Sequence, residues 1–260
     1  MSATNWHDDD GFWAAMQDWL FDEAREQAAT PQVAWIAQLL ELRPGAKVLD
    51  LPCGTGRHSI AMAKLGMNVT AIDRMASYLD RGRDAERRAR ESSPSDAWGP
   101  AINWVHADMR LANVPPGTMD VVTNLWTSFG YFETWEENAA VLRTFREALR
   151  EGGHLVMELA GKEALALRFQ ERRWSELPDG RLLLEDVQVT ENWSRMRTRW
   201  ILISPEGTRR EHAMQLWVYS ARELCELLRE AGFGECRVFG SLAGDPYDAK
   251  AKRLVVVARA

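Results

Sequence analysis

The residues best placed to do chemistry are a glycine loop and the acids around it. The run Lys47-Val48-Leu49-Asp50-Leu51-Pro52-Cys53-Gly54-Thr55-Gly56-Arg57-His58-Ser59 takes an apolar stretch into an acid and a tight loop. An amphipathic run through Ile60, Ala63 and Leu65 follows. That order reads as strand, loop and helix. Gly54 and Gly56 lack a Cβ, so the loop can turn with positive φ and a ligand can come close to the backbone. The helix behind it offers unpaired N–H groups. A pyrophosphate fingerprint needs glycine where this chain has Pro52 and Ser59, and a P-loop needs a Lys-Ser/Thr pair that is missing. Both phosphate readings are poor. A second acid, Asp73, ends the buried run Asn68-Val69-Thr70-Ala71-Ile72 and precedes Arg74. In a strand–helix–strand unit this spacing sets a carboxylate beside the loop, where it accepts both hydroxyl hydrogens of a ribose. The alternative is a solvated strand-end aspartate. A third acid, Asp108, leaves the run Ile102-Asn103-Trp104-Val105-His106-Ala107 and is followed by Met109.

Candidates for acting on a second molecule are fewer. Among the five histidines, His212 alone can be placed over a substrate. His154 starts a strand at the wrong end, His7 lies in a terminal tail, His106 is within a strand, and His58 opens the helix beside the loop, where it caps or packs. Tyr131 follows the fourth strand and can orient a substrate. Glu158, near the end of the fifth, can pair with an amine. Trp19, Trp126, Tyr131 and Trp217 are candidate pocket walls, although Trp126 reads equally as core.

These groups need a scaffold. Residues 11–29 read as one amphipathic helix, and Thr30-Pro31 as the N-cap and first-turn proline of a second. Strand–helix repeats follow. The first helix ends at Gly66, the charged run Arg81 to Arg88 is a solvated helix face, and 92–96 is a surface loop. Pro115-Pro116-Gly117-Thr118 turns into the fourth strand, and Thr134 to Glu137 is a capping box. That box opens a helix stopped by Gly152-Gly153, and the fifth strand runs from His154 to Ala160. Such repeats make a doubly wound, mostly parallel α/β sheet that binds ligands at its carboxyl edge. The pattern then changes. Runs at 172–177, 181–193, 196–204 and 208–219, joined by turn signals, form an antiparallel meander. A helix capped by Ser220 and strands at 235–239 and 254–258 close the chain. The expected units are a helical cover (1–43), a ligand-binding core (44–160), a β-lid (161–219) and a C-terminal helix and strands completing the sheet (220–260).

Asp50-x-Pro52-x-Gly54-x-Gly56, with Asp73 and Asp108-Met109 downstream, resembles the class I S-adenosylmethionine-dependent methyltransferases, with Pro52 replacing a glycine of the family's first motif. The resemblance spans nearly the whole chain and is nearest in layout to bacterial small-molecule enzymes with a β-lid after strand five. It implies a Rossmann-like, seven-stranded sheet. It also implies that Asp50, Pro52, Gly54 and Gly56 hold the methionine end of S-adenosylmethionine, Asp73 with Arg74 the ribose, and Asp108 with Met109 the adenine. Asn124 and Leu125 would border the methyl group. Family members that methylate exocyclic amino groups of adenine or protein glutamine carry Asn/Asp-Pro-Pro-Tyr/Phe at the end of strand four. Asn124-Leu125-Trp126-Thr127 lacks the prolines, which disfavours that class. The expected reaction is in-line transfer to N or O of a small molecule, including secondary metabolites, leaving S-adenosylhomocysteine. C-methylation, a non-methylating use of the cofactor such as cyclisation, and a non-catalytic cofactor-binding protein are the alternatives.

Composition narrows the partners. With 46% hydrophobic residues the 260-residue chain can bury a full core, and a formal charge of −6 argues against a nucleic-acid surface. Three cysteines without a C-x-x-C pair indicate neither a disulfide framework nor a zinc site. No apolar run nears the roughly 18 residues of a membrane span, and the N-terminus does not read as a signal peptide. The expectation is a cytoplasmic monomer or homodimer with no metal.

Overall fold

The computed structural model describes residues 6–93 and 97–260. Five strands form a parallel sheet: β1 (Lys47–Asp50), β2 (Asn68–Asp73), β3 (Asn103–His106), β4 (Met119–Asn124) and β5 (Leu149–Leu159). A second sheet comprises β6 (Arg172–Glu176), β7 (Leu182–Thr190), β8 (Arg195–Ile203) and β9 (Arg209–Trp217), all antiparallel. The chain then returns through β10 (Cys236–Phe239) and β11 (Leu254–Arg259), with β11 antiparallel to β5. The main sheet has the order β10-β11-β5-β4-β1-β2-β3. Strand order reverses between β1 and β4, which opens a crevice at their carboxyl ends.

Among the described residues seven α-helices accompany the strands: α1 (Asp10–Leu20), α2 (Glu23–Leu39), α3 (Arg57–Lys64), α4 (Ala76–Ser92), α5 (Trp135–Ala148), α6 (Lys162–Leu167) and α7 (Ala221–Glu230). Neighbouring strand residues face opposite sides of the sheet. Leu49, Val122 and Leu155 therefore pack on α5 and α7, while Val48, Val121 and Val156 pack on α2 and α3. Separately, Phe12 and Met16 of α1 form a small core with Leu183, Trp200 and Leu202 of the second sheet.

Local details depart from the sequence expectations. The helix expected over 11–29 is two, because Asp22 caps a new helix by accepting the Arg25 N–H at 2.9 Å. Pro31 consequently lies inside α2 rather than in its first turn. The helix α5 stops at Ala148, and β5 begins at Leu149 and runs through Gly152-Gly153, before the expected start. His7 is no tail residue: it is buried in a 3-10 turn, Trp6–Asp8. Of the expected 92–96 loop, Pro94 to Asp96 lie outside the described residues. The charged run on α4 is indeed a solvated face, with ion pairs Arg83–Asp80 and Arg87–Asp84.

Candidate active site

The three acids end at one cavity. Asp50 closes β1, Asp73 closes β2 and Asp108 follows β3, and all three line a cavity of about 590 Å³. Its opposite wall is the inner face of the second sheet, with Met196, Thr198, Trp200 and Met214. Trp13 and Trp19 of α1 close the side.

Each acid is held differently. Asp50 is buried and accepts from Ser59 Oγ at 2.6 Å and Thr123 Oγ1 at 2.9 Å. Burial pushes its pKa up to about 6 against those hydroxyls and the nearby Arg57. Asp73 accepts the Gly54 N–H at 2.8 Å on one oxygen and the Met75 N–H at 2.9 Å on the other. Burial raises its pKa as well. A carboxylate has about four acceptor sites, so each oxygen keeps one for a ligand hydroxyl. Asp108 accepts from Arg110 Nη2 at 2.6 Å and stays ionised, with its pKa lowered: burial acts upward, but the Arg110 hydrogen bonds and charge outweigh it. Pro52, Gly54, Arg74, Met109 and Leu125 also line the cavity. Gly54 has φ +57, and a Cβ there would stand 2.8 Å from the Phe21 ring.

Trp126 and Thr127 follow β4 with φ of 62° and 58°, a left-handed pair costing about 1–3 kcal/mol each. Glu158 overcomes that strain. Its Oε2 accepts the Trp126 N–H at 3.1 Å, its backbone carbonyl accepts the Thr127 N–H at 2.8 Å, and its Oε1 pairs with Arg253 at 3.2 Å. Arg253 also donates to Thr127 Oγ1 at 2.8 Å. Three guanidinium groups surround the indole, those of Arg25, Arg57 and Arg253, at 4.9, 5.2 and 5.0 Å from its centre.

Several expected site residues stand elsewhere. Gly56 does not line the cavity; a Cβ there would lie 2.2 Å from the Trp104 indole, so the glycine admits that ring. Asn124 is fully buried and donates to the carbonyls of Leu51 and Ser128, joining β4 to β1. Glu158 is the buried anchor just described rather than a cavity group. Trp217 has the opposite strand parity to Met214 and Leu216, which line the cavity. Its Nε1 donates to the Phe132 carbonyl at 2.9 Å, under the Arg195 guanidinium. His212 shares the inward parity, but Phe12 lines the cavity in its place and packs on the His212 ring with centroids 5.7 Å apart. Tyr131, Trp19 and Trp126 do line it.

Among the lining residues that escaped the sequence reading are His7 and Arg57. His7 faces the Asp108 end and is edge-on to Phe132 at 5.0 Å. Burial lowers its pKa more than the Asp8 carboxylate raises it. Arg57, the first residue of α3, is buried and lines the cavity, and among the described residues its Nε has no acceptor. Its position beside the glycine loop was the available signal.

A Rossmann-like sheet with acids at three adjacent strand ends, a glycine loop at the topological switch and an antiparallel sheet facing it defines a class I S-adenosylmethionine-dependent methyltransferase. Residues 21–234 match the family model described as a methyltransferase domain, and the chain belongs to that family. It is 29% identical over 227 residues to a cypemycin N-terminal methyltransferase from Streptomyces sp, covering 86% of this chain and 87% of that one. Human glycine N-methyltransferase is 28% identical over 130 residues, which cover 48% of this chain and 44% of the enzyme. Among solved structures, the CcbJ methyltransferase from Streptomyces caelestis superposes with a TM-score of 0.71 at 23% identity, covering 89% of this chain and 94% of that one. CalS10, an amino pentose methyltransferase from Micromonospora echinaspora, gives 0.63 at 21% identity, covering 97% and 98%. At these identities the two structures speak for the fold.

The donor set suits the family's cofactor, S-adenosylmethionine. The cavity offers an acid with free acceptor sites, an acid with a raised pKa and an unpaired guanidinium.

Proposed function

We propose that the protein transfers the methyl group of S-adenosylmethionine to a nitrogen or oxygen atom of a small molecule held beneath the second sheet. The observation that carries this reading is the single cavity joining the strand-end acids to the inner face of β8 and β9. Its volume falls within the roughly 300–1,000 Å³ usual for small-molecule sites. Its two ends differ in chemistry, acidic at the strand ends and aromatic under the second sheet.

When bound, the cofactor supplies a methyl group activated on a sulfonium. The chain's residues fix the geometry. Asp73 takes the ribose hydroxyls, its carboxylate already oriented by the Gly54 and Met75 N–H groups. Asp108 and Met109 hold the adenine, with His7 over that end. Asp50, Pro52 and Gly54 hold the methionine end. Leu125 and the strained Trp126 border the methyl group, and Gly56 and Asn124 support the loop from behind. Alignment of this kind supplies about 7–11 kcal/mol at best. Trp6, Trp13 and Trp200 line the cavity and keep water from it.

An amine acceptor must shed its proton before it attacks. Arg168 and Lys252 line the cavity without a carboxylate partner among the described residues, and nearby cations lower an amine's pKa. The site thus favours the neutral amine without a protein base. Tyr131 stays a phenol, since burial drives its pKa upward, and it serves to orient the acceptor. The names of the cypemycin and glycine enzymes, both acting on nitrogen, favour nitrogen over oxygen here.

The test is incubation with S-adenosylmethionine carrying a labelled methyl group and a panel of small amines and matched alcohols, read by mass spectrometry. Label on a nitrogen or oxygen supports the reading. Label on carbon, or release of methylthioadenosine with no labelled acceptor, overturns it.

A further inference from the structure

Among the described residues, no hydrogen bond or ion pair engages the Arg57 guanidinium. Arg57 is only 8% exposed and its Nε is buried without an acceptor. Its one close partner is the Trp126 indole, 5.2 Å from the guanidinium carbon. The acids nearest in charge are already engaged. Glu158 holds Arg253 and the Trp126 N–H, Asp50 accepts from Ser59 and Thr123, and Glu26 accepts from Thr55. Other arginines around the cavity have acceptors: Arg74 pairs with Asp10, Arg173 with Glu185 and Arg253 with Glu158, and Arg168 donates to the Ala164 and Lys252 carbonyls. A buried unpaired charge is costly, and such costs gather where a ligand supplies the missing partner.

We propose that Arg57 is a carboxylate-binding residue at the Trp126 end of the cavity. One unpaired guanidinium balances one negative charge, and its planar fork matches a carboxylate in two-point geometry. A dianion such as phosphate would be repelled by Glu26, Glu158 and Asp50, which stand around Arg57. The carboxylate has two possible sources, the methionine part of the cofactor or an acid group on the acceptor. The first source rests on the methyltransferase reading; the second does not.

The experiment is calorimetric titration of wild type, Arg57→Gln and Arg57→Lys with four probes. These are S-adenosylhomocysteine, methylthioadenosine (which lacks the amino-acid end), benzoate and benzamide. If the cofactor is the source, Arg57→Gln weakens S-adenosylhomocysteine tenfold or more and spares methylthioadenosine, and Arg57→Lys recovers part of the loss. If the acceptor is the source, S-adenosylhomocysteine is unaffected. The loaded wild type then binds benzoate better than benzamide, and Arg57→Gln abolishes that preference. Equal binding of all probes by wild type and variant overturns the proposal, as does equal weakening of S-adenosylhomocysteine and methylthioadenosine. Should wild type bind neither adenosyl ligand, the cofactor reading fails, and benzoate against benzamide on the ligand-free protein still decides Arg57: a preference lost in Arg57→Gln upholds the site, and no preference overturns it. Thermal unfolding separates a structural role. Removing an unpaired buried charge leaves the melting temperature of Arg57→Gln unchanged or higher, and a marked drop overturns the proposal.

Discussion

If Asp50 holds the methionine end of the cofactor as proposed, ligand binding is coupled to pH. Burial raises the folded pKa of Asp50 to about 6, above the ordinary carboxylate range. A raised folded pKa means that its stabilising contribution is present below the unfolded pKa and lost as pH rises through about 6, at a cost of about 3 kcal/mol. A bound ammonium partner favours the ionised carboxyl, so affinity has the opposite trend. S-adenosylhomocysteine is expected to bind about tenfold more weakly at pH 5 than at pH 7. Asp73, whose pKa is also raised, acts in the same sense, so Asp50→Asn leaves a shallower slope; calorimetry across this range checks both. Glu158 gives a second prediction. Replacement by Ala removes the ion-pair partner of the half-buried Arg253 and frees the strained Trp126 backbone, so chemical denaturation should show a loss of about 2–4 kcal/mol. A loss under 1 kcal/mol would contradict the anchoring role. At this scale the acids were legible, because a strand's end and a following turn fix where a carboxylate goes. Arg57 was not, since a charged residue opening a helix reads as solvated until its surroundings are known. Glu158 was legible as an acid near a strand end and was read as a partner for an amine, but its partner Arg253 is brought up only by the antiparallel return of β11.

The N-terminal segment and the second sheet cover the cavity together. Phe12 stacks on Trp200 with ring centres 5.6 Å apart and planes 7° apart. Arg74 and Arg110 tie the segment to the main sheet through Asp10 and Asp8, and Tyr78 donates to the Trp13 carbonyl at 2.6 Å. Trp200→Ala removes the ring that joins the two covers, at a cost of about 3–5 kcal/mol. Limited proteolysis of this variant should cut within 6–22 sooner than in wild type, and unchanged protection would contradict the joint cover. The meander was legible from alternation and turn signals, and so was the capping box of α5. What each face meets was not legible. Trp217 and His212 are both plausible inward aromatics by composition, yet parity turns Trp217 away and Phe12 comes between His212 and the cavity. The helix break at Asp22 was missed because Thr30-Pro31 offers a stronger local signal than the cap that forms.

At the scale of the whole molecule, the strand reversal between β1 and β4 sets the crevice, and the covers make it a chamber. Stability and binding therefore separate by region. Ser220, which does not line the cavity, caps α7 by accepting the Glu223 N–H at 3.1 Å. Ser220→Ala should cost about 1 kcal/mol and lower the melting point by about 2–4 °C, with S-adenosylhomocysteine affinity unchanged; a loss of affinity would contradict the separation. The doubly wound sheet was legible because its repeats are local in sequence. The return of β10 and β11 beside β5 was visible only as two apolar runs, and their antiparallel register comes from tertiary pairing. The most direct measurement is calorimetric titration of S-adenosylmethionine and S-adenosylhomocysteine into wild type and Asp73→Asn. The expected result is micromolar binding by wild type and a loss of about tenfold or more in the variant, since hydrogen bonds to a charged group contribute about 1.5–3 kcal/mol each. No binding by pure, folded, ligand-free wild type, or equal binding by the variant, would contradict it.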